Sequence, residues 1–466
     1  MLHRLALLIA IAVLAATGES RRVVIVDLDG VRWDTLRQTY LDGKLPNFER
    51  ILGAATEGSG FGSAVVFENA STVFPTVTMA AQASIFTGVF PAKHGIPGNS
   101  WFDRKSSQLI NYMTPSSIAC VYGAAFLFPG CEGGMANEQL QVPTLYELAG
   151  RARKSSTVVF NEYYKGATTP IVPSLTDALV FLGGSEADFA KFDTSMMDQA
   201  IRSFANGSLP DILTVYFSGT DSVAHQFGIA TQPGYLQNVV DPQLGRLIGE
   251  IAAHDPTWTF HTLFVITSDH GRTDLEIHPE DLDLAYHVDL RLTRVGAPGS
   301  MHLAENGGMA YVYVPSDDVL KTAHELLIDP SLEAALDSVL VRQTPSGGYA
   351  MAQADGSTAI LPEDRQALLA GLDSERAGNI ILVLKQGHYF GNNGHGSNHG
   401  SIFTGDLNVP LLLGQAGVVP LHSTAQVSTT QIAATIAYYL SIPADGLSPA
   451  LPDVIFPKRP VAIPMR

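Results

Sequence analysis

Three aspartates, three histidines and one threonine stand where a chain would place metal ligands and a nucleophile. Asp29 precedes Gly30 just past the apolar run 22–28, and Asp221 and His225 lie four apart in Thr-Asp-Ser-Val-Ala-His. Asp269 and His270 adjoin in Ser-Asp-His-Gly, and His399 stands in a Gly- and Asn-rich stretch, 387–400, that also carries His388 and His395. Imidazole nitrogen with carboxylate oxygen suits Zn²⁺, and these six donors divide into two three-ligand sites, each with a position left open. Two such ions about 4 Å apart form the clamp used for in-line phosphoryl displacement. Thr78 supplies the hydroxyl. It stands at the start of a helix expected over 79–87, where unpaired N–H groups and the positive end of the helix dipole favour an alkoxide or a bound phosphate. A threonine hydroxyl is a poor nucleophile at its free pKa, and a bound metal ion acidifies it. Simpler readings stand beside most of these. Thr78 is also a good N-cap, Asp29 a good turn residue, and Asp221 a helix-start aspartate with an incidental histidine. Asp269 and His270 resist such a reading, because burying both next to glycine is costly unless they are paired or hold a metal.

The elements that must position these residues are buried strands. The runs 22–28, 211–217 and 262–267 are continuous and apolar, as in a parallel sheet covered on both faces, and each ends in polar residues. In open α/β sheets the site lies beyond the carboxyl ends of the strands, where Asp29, Asp221 and Asp269 fall. Pro75 precedes the Thr78 helix, and Gly88 and Pro91 stop it. A helix over 144–154 and a strand over 156–160 continue the alternation. From 272 to 377 that alternation is lost, which reads as an inserted cap with a strand near 306–314 and a helix over 318–340. His278, His287 and His302 read there as surface residues. A buried strand at 379–384 returns to the core, and a strand at 409–413 and a helix over 429–440 finish it. The expectation is a doubly wound α/β/α sandwich with core segments 19–271 and 378–466 and a cap subdomain 272–377.

The formal net charge of −17 argues against a nucleic-acid scaffold, so positive charge for a phosphate must be concentrated in a local site. Met-Leu-His-Arg, the apolar run 5–15 and Ala-Thr-Gly-Glu-Ser have the pattern of a secretory signal over 1–18, too short to span a bilayer. No other stretch is apolar enough to anchor the chain. The mature protein is expected to be secreted or periplasmic and to lack a transmembrane anchor. In that compartment Cys120 and Cys131, close together in a Gly- and Pro-containing segment, read as one disulfide, with free thiols the alternative.

Five blocks, in this order, resemble the alkaline phosphatase superfamily and, within it, the type I phosphodiesterase and nucleotide pyrophosphatase family. They are Leu-Asp29-Gly, Pro-Thr-Val-Thr78 through His-Gly-Ile-Pro-Gly-Asn99, Thr-Asp221-Ser-Val-Ala-His225, Ser-Asp269-His270-Gly and His399-Gly-Ser. The resemblance implies two zinc ions per chain. Asp29, Asp269 and His270 would hold one, and Asp221, His225 and His399 the other. Thr78 would form the phospho-enzyme and Asn99 would donate to a non-bridging phosphoryl oxygen. Both His395 and His399 precede Gly-Ser, and the family's spacing to Val409-Pro410 selects His399. Met79-Ala80-Ala81-Gln82 departs from the Phe-Pro-Asn-His usual in nucleotide pyrophosphatases, which puts nucleotide specificity in doubt. The stretch His-Gly-Ile-Pro-Gly-Asn99-Ser-Trp-Phe-Asp-Arg104 is also similar to exported phosphate monoesterases of the superfamily. Those grip a dianionic phosphate with a Lys-x-Arg pair; here Lys165 is the candidate and no Arg follows. The implied activity is a phosphodiesterase or nucleotide pyrophosphatase on a small phosphate ester. The alternatives are a phosphate monoesterase or phosphonate hydrolase of the same superfamily, and, more distantly, a non-catalytic exported binding protein. Oligomeric state and natural substrate have no signature in the sequence.

Overall fold

The run that ends at Asp29 becomes the middle of the main sheet. In the computed structural model, which describes residues 21–54, 61–122, 133–205, 207–276, 278–296, 299–343, 347–391 and 396–457, the strands of this sheet are as follows. In chain order they are β1 (Arg22–Leu28), β2 (Ala64–Ser71), β3 (Ser156–Val159), β4 (Thr169–Ile171), β5 (Ile212–Phe217), β6 (Thr262–Thr267), β7 (Leu411–Gly414) and β8 (Leu421–Ser428). Their spatial order is β8-β2-β7-β6-β1-β5-β3-β4, and only β7 runs against the others. The signal-like segment 1–18 lies outside the described residues, and no described helix is long and apolar enough to cross a membrane.

Alternation along β1 feeds two cores. Val24, Val26 and Leu28 face one, with helices α2 (Glu186–Phe204) and α4 (Asp241–His254); Val23 and Ile25 face the other, with α1 (Thr78–Thr87) and α7 (Gln431–Leu440). Helices on both faces of a parallel sheet are the doubly wound arrangement that the apolar runs imply. Each fully buried Val, Leu or Ile contributes about 1.5–3 kcal/mol by leaving water, and that burial holds the layers together.

A second sheet has six strands, all antiparallel, ordered His302–Glu305, Met309–Tyr313, Ile380–Leu384, Leu336–Arg342, Tyr349–Ala352 and Thr358–Ala359. Helices α5 (Leu284–Val295) and α6 (Val319–Leu327) cover it, with a core of their own around Val288, Ala323, Val339 and Leu382. Two sequence expectations change here. The 379–384 strand does not return to the main sheet but sits in the middle of this one, so the inserted unit extends past residue 377. An apolar run buried on both faces reads the same in either sheet, so its pattern could not assign it. The helix expected over 318–340 stops at Leu327; Asp329-Pro330 starts a fresh short turn, and Leu336–Arg342 is a strand.

Candidate active site

β6, β1 and β5 lie side by side, with Asp27 opposite Thr267 and Leu28 opposite Phe217, so the three strands end almost flush. Asp269 follows β6, Asp29 follows β1, and Asp221 opens helix α3 (Gly219–Phe227) just after β5. Gly30 turns the chain at φ 66°, and a Cβ there would come 2.5 Å from Asp221 Oδ1. Only glycine lets the first loop pass so close to the second. His225 sits one helical turn beyond Asp221, with Nε2 3.1 Å from Asp221 Oδ2. The loop after the second sheet brings in His399, whose ring stacks on His270 at 3.7 Å between centroids.

The structure thus gathers Asp221, His225 and His399 into one group of converging ligand atoms and Asp29, Asp221 and His270 into another, with Asp221 common to both. Asp269 adjoins the second group: its Oδ1 accepts from the backbone N–H of Gly30 and of His270, and its Oδ2 lies 3.5 Å from His270 Nε2. His395 lies outside the described residues.

Both central imidazoles are oriented by backbone. His270 Nδ1 donates to the Gly271 carbonyl at 3.0 Å and His399 Nδ1 to the Thr76 carbonyl at 2.8 Å. A carbonyl can only accept, so Nδ1 carries the hydrogen in each ring and Nε2 presents a lone pair to the site. The carboxylates are left hungry. Asp29 Oδ1 and Asp269 Oδ2 are buried with no hydrogen-bond partner, and Asp221 Oδ1 faces Arg272 across 2.8 Å without hydrogen-bond alignment. Buried polar atoms are normally satisfied, so orphaned carboxylate oxygens beside imidazole lone pairs are a donor set fitted to a divalent cation. Burial, and after it the neighbouring Asp269 and Asp221, pushes the Asp29 carboxyl well above the usual carboxylate range. A bound cation reverses that penalty. Burial also opposes charge on Asp221, yet Arg272 and His225 hold its carboxyl well below the usual range.

Thr78 is the first residue of α1, with Val77 as the N-cap and no side-chain cap at that end. The plain N-cap reading therefore fails: the hydroxyl points away from its own helix, to His270 Nε2 at 3.2 Å. Every later residue of α1 is buried, Tyr163 donates to the Met79 carbonyl, and Gln82 accepts from Asn161, so the helix start is held rigidly. The Asn99 amide oxygen accepts from Met79 N–H at 3.0 Å. That contact fixes the amide orientation, and among the described residues its N–H₂ has no partner.

Among the described residues Lys165 makes no hydrogen bond or ion pair with this group. Its backbone is held by Asn137 and Thr144, and the positions that leave the end of β3 are Phe160, Asn161 and Glu162. Glu162 is buried and accepts from Tyr122, and burial pushes its carboxyl up to about 7. Sequence reasoning missed three supports. Arg272 is fully buried and donates to the Asp221 carbonyl; Tyr216 donates to Asp29; Thr76 accepts from His399 Nδ1 through its carbonyl and from the Gly400 backbone N–H through its hydroxyl, tying that loop to the Thr78 segment. Arg272 was open to notice, because it follows His270-Gly271 directly. A cavity of about 670 Å³ lined by Arg104, Arg342 and Arg376 lies away from the donors, and these guanidiniums are engaged by the protein itself, largely by backbone carbonyls.

A parallel-rich α/β sandwich with this cluster at its strand ends defines a phosphoester hydrolase of the alkaline phosphatase superfamily. The family model for type I phosphodiesterase / nucleotide pyrophosphatase matches residues 23–404, and the chain belongs to that family. A curated relative named calcium-transporting ATPase, from Myroides odoratus, is 22% identical over 92% of this chain and 94% of its own. Human ectonucleotide pyrophosphatase/phosphodiesterase family member 7 is 25% identical over 66% of this chain and 61% of its own. Among solved structures, alkaline phosphatase PafA superposes with a TM-score of 0.67 at 16% identity, covering 94% of this chain and 99% of that one, a likeness of fold.

Proposed function

We propose that the chain is an exported two-zinc phosphodiesterase or nucleotide pyrophosphatase that works through a phosphothreonine at Thr78. The observation that carries the reading is the Thr78 hydroxyl, free of any capping role and 3.2 Å from His270, beside buried carboxylate oxygens that lack partners. Asp29, Asp269 and His270 would hold one zinc, and Asp221, His225 and His399 the other. When bound, the two ions supply Lewis acidity and positive charge for an in-line displacement.

The residues of the chain divide the remaining work. Thr78 attacks phosphorus; its Oγ–P bond forms as the bond to the leaving alcohol or phosphate breaks, and water then releases the monoester and restores the hydroxyl. The amide N–H₂ of Asn99 is free to donate to a non-bridging oxygen. Rigid attachment of α1 through Tyr163 and Gln82 keeps the nucleophile in line without reorganisation. Arg272 and Tyr216 hold Asp221 and Asp29 in place from behind.

The diester preference rests on charge at the rim. A dianionic monoester needs a cation for its third oxygen, and the end of β3 offers Asn161, engaged with Gln82, and the acidic Glu162 instead. A diester carries one charge fewer. The test compares kcat/KM for bis-p-nitrophenyl phosphate with that for p-nitrophenyl phosphate. The higher value is expected for the diester; the opposite order, lost in Lys165→Ala, favours the monoesterase. Export and a Cys120–Cys131 disulfide belong to the same proposal. Cys131 lies outside the described residues, and mass spectrometry of non-reduced protein checks the pairing, with two alkylatable thiols the contrary result.

A further inference from the structure

The insertion leaves the core after β6 and returns after the Ile380–Leu384 strand, and the two crossings meet at a second histidine cluster. On the outgoing side, His278 is the N-cap of a short 3₁₀ turn (Pro279–Asp283) that contains Glu280; on the returning side, His388 follows Gly387. The His278 and His388 rings stack at 3.8 Å between centroids, tilted 18°. One ligand atom from each of His278, Glu280 and His388 lies within 4.8 Å of the others. This departs from the expectation that His278 is an ordinary surface residue.

His388 is 8% exposed, and its Nδ1 meets Asp281 Oδ1 at 2.9 Å; Asp281 is fully buried and its Oδ2 accepts from the Tyr389 backbone N–H. With Nδ1–H donated to that carboxylate, Nε2 presents its lone pair. A carboxylate behind the distal nitrogen of an imidazole is the support that metal-ligating histidines usually have. Glu280 Oε1 lies 3.9 Å from His278 Nδ1, and Glu276 Oε2 lies 3.8 Å from His278 Nε2, so anionic oxygen approaches both edges of that ring. The rings stack face to face, so a shared ion requires the partly exposed His278 ring to turn one nitrogen towards the Nε2 of His388, which Asp281 holds in place. Two imidazoles and a carboxylate favour a borderline divalent ion such as Zn²⁺ over Mg²⁺ or Ca²⁺, which take oxygen.

We infer that His278, Glu280 and His388 form a further zinc-type site that clamps the outgoing and returning crossings of the insertion together. Among the described residues no hydroxyl is paired with these donors, and the site acts on structure. Tyr389, next to His388, reaches Asp406 Oδ2 at 3.4 Å, and that carboxylate also holds the Ser401 backbone N–H, two residues from His399.

The full chain, stripped with a chelator and titrated with Zn²⁺ alone, tests this by counting retained zinc after desalting. The His278→Ala variant should retain one equivalent less than the unaltered chain and show a smaller zinc-dependent rise in Tm, while turnover of the p-nitrophenyl ester at saturating zinc stays within about two-fold. Glu280→Gln should weaken the same equivalent at least ten-fold. His278 is only partly buried, so its loss leaves folding intact, whereas His388→Ala would strand the buried Asp281. In an Asp221→Ala background the His278-dependent equivalent should persist, which separates this site from the catalytic reading. Equal zinc retention by the unaltered chain and His278→Ala would overturn the inference.

Discussion

At the sheet edge the rings of His270 and His399 stack 3.7 Å apart; at the crossings of the insertion those of His278 and His388 stack 3.8 Å apart, at the same 18° tilt. In both places an imidazole Nδ1 is tied down, to a carbonyl at the edge and to Asp281 at the crossing, so the Nε2 lone pair is set by the fold. The surroundings differ. The edge cluster lies at the ends of three flush strands, faces the first turn of a rigid helix and has a threonine hydroxyl in reach; the crossing cluster sits on turns, with Glu276 beside it, and among the described residues no hydroxyl is paired with its donors. Similar donors thus support a reaction in one place and a cross-link in the other. Chemistry follows from the nucleophile and the helix N-terminus, not from the ligands alone.

The sharpest contrast comes from matched ligand losses. Asp269→Ala or His270→Ala should lower kcat/KM by about 10³-fold or more, as expected when a stabiliser of transition-state charge is removed, while His278→Ala leaves it nearly unchanged. Steady-state assays with zinc in excess make the comparison, and near-normal rates in either edge variant would show that the ligand set is wrong.

Arg272 extends the contrast to stability, because the edge cluster contains a buried cation beside Asp221. Arg272→Ala removes one partner of a buried pair with Asp221 and should destabilise the chain by about 3 kcal/mol, read from urea unfolding. Asp193, behind α3, gives a pH signature. Burial pushes its carboxyl up to about 7, with Tyr235 donating to it. The folded chain then keeps a proton that the unfolded chain releases, so stability falls as pH rises from about 4 to 7. Asp193→Asn should remove a destabilisation on the order of a few kcal/mol at pH 8 and change little at pH 4, measured as urea midpoints. The smallest effect is expected at Lys165. Among the described residues its hydrogen bonds are those of its backbone to Asn137 and Thr144, and Lys165→Ala should alter diester turnover by less than about two-fold.

Much of the edge cluster was legible because its residues follow buried strands directly. The runs before Asp29 and Asp269 are continuous and β-branched, and Asp221 with His225 has helical spacing, so strand ends and side-chain type together marked the place. Tyr216 was not legible as a support, because its role depends on which loops meet across the sheet, whereas Arg272 stood next to the Asp269-His270-Gly271 motif and only its partner was hidden. The strand Ile380–Leu384 went to the wrong sheet for a related reason: apolar periodicity says that a run is buried and not what lies beside it. His278 and His388 are 110 residues apart in the sequence and meet only because the insertion leaves and re-enters the core at one point. Nothing local marks such a pair.

The central claim is that Thr78 carries the phosphoryl group. Zinc-loaded enzyme, mixed with a phosphodiester and quenched in acid during turnover, should give a Thr78-containing peptide with the mass of one phosphoryl or phosphoester adduct, absent from Thr78→Ala, which should also lose turnover. Full diesterase activity with no adduct on that peptide, or a Thr78→Ala variant that still turns over at near-normal rates, would contradict it.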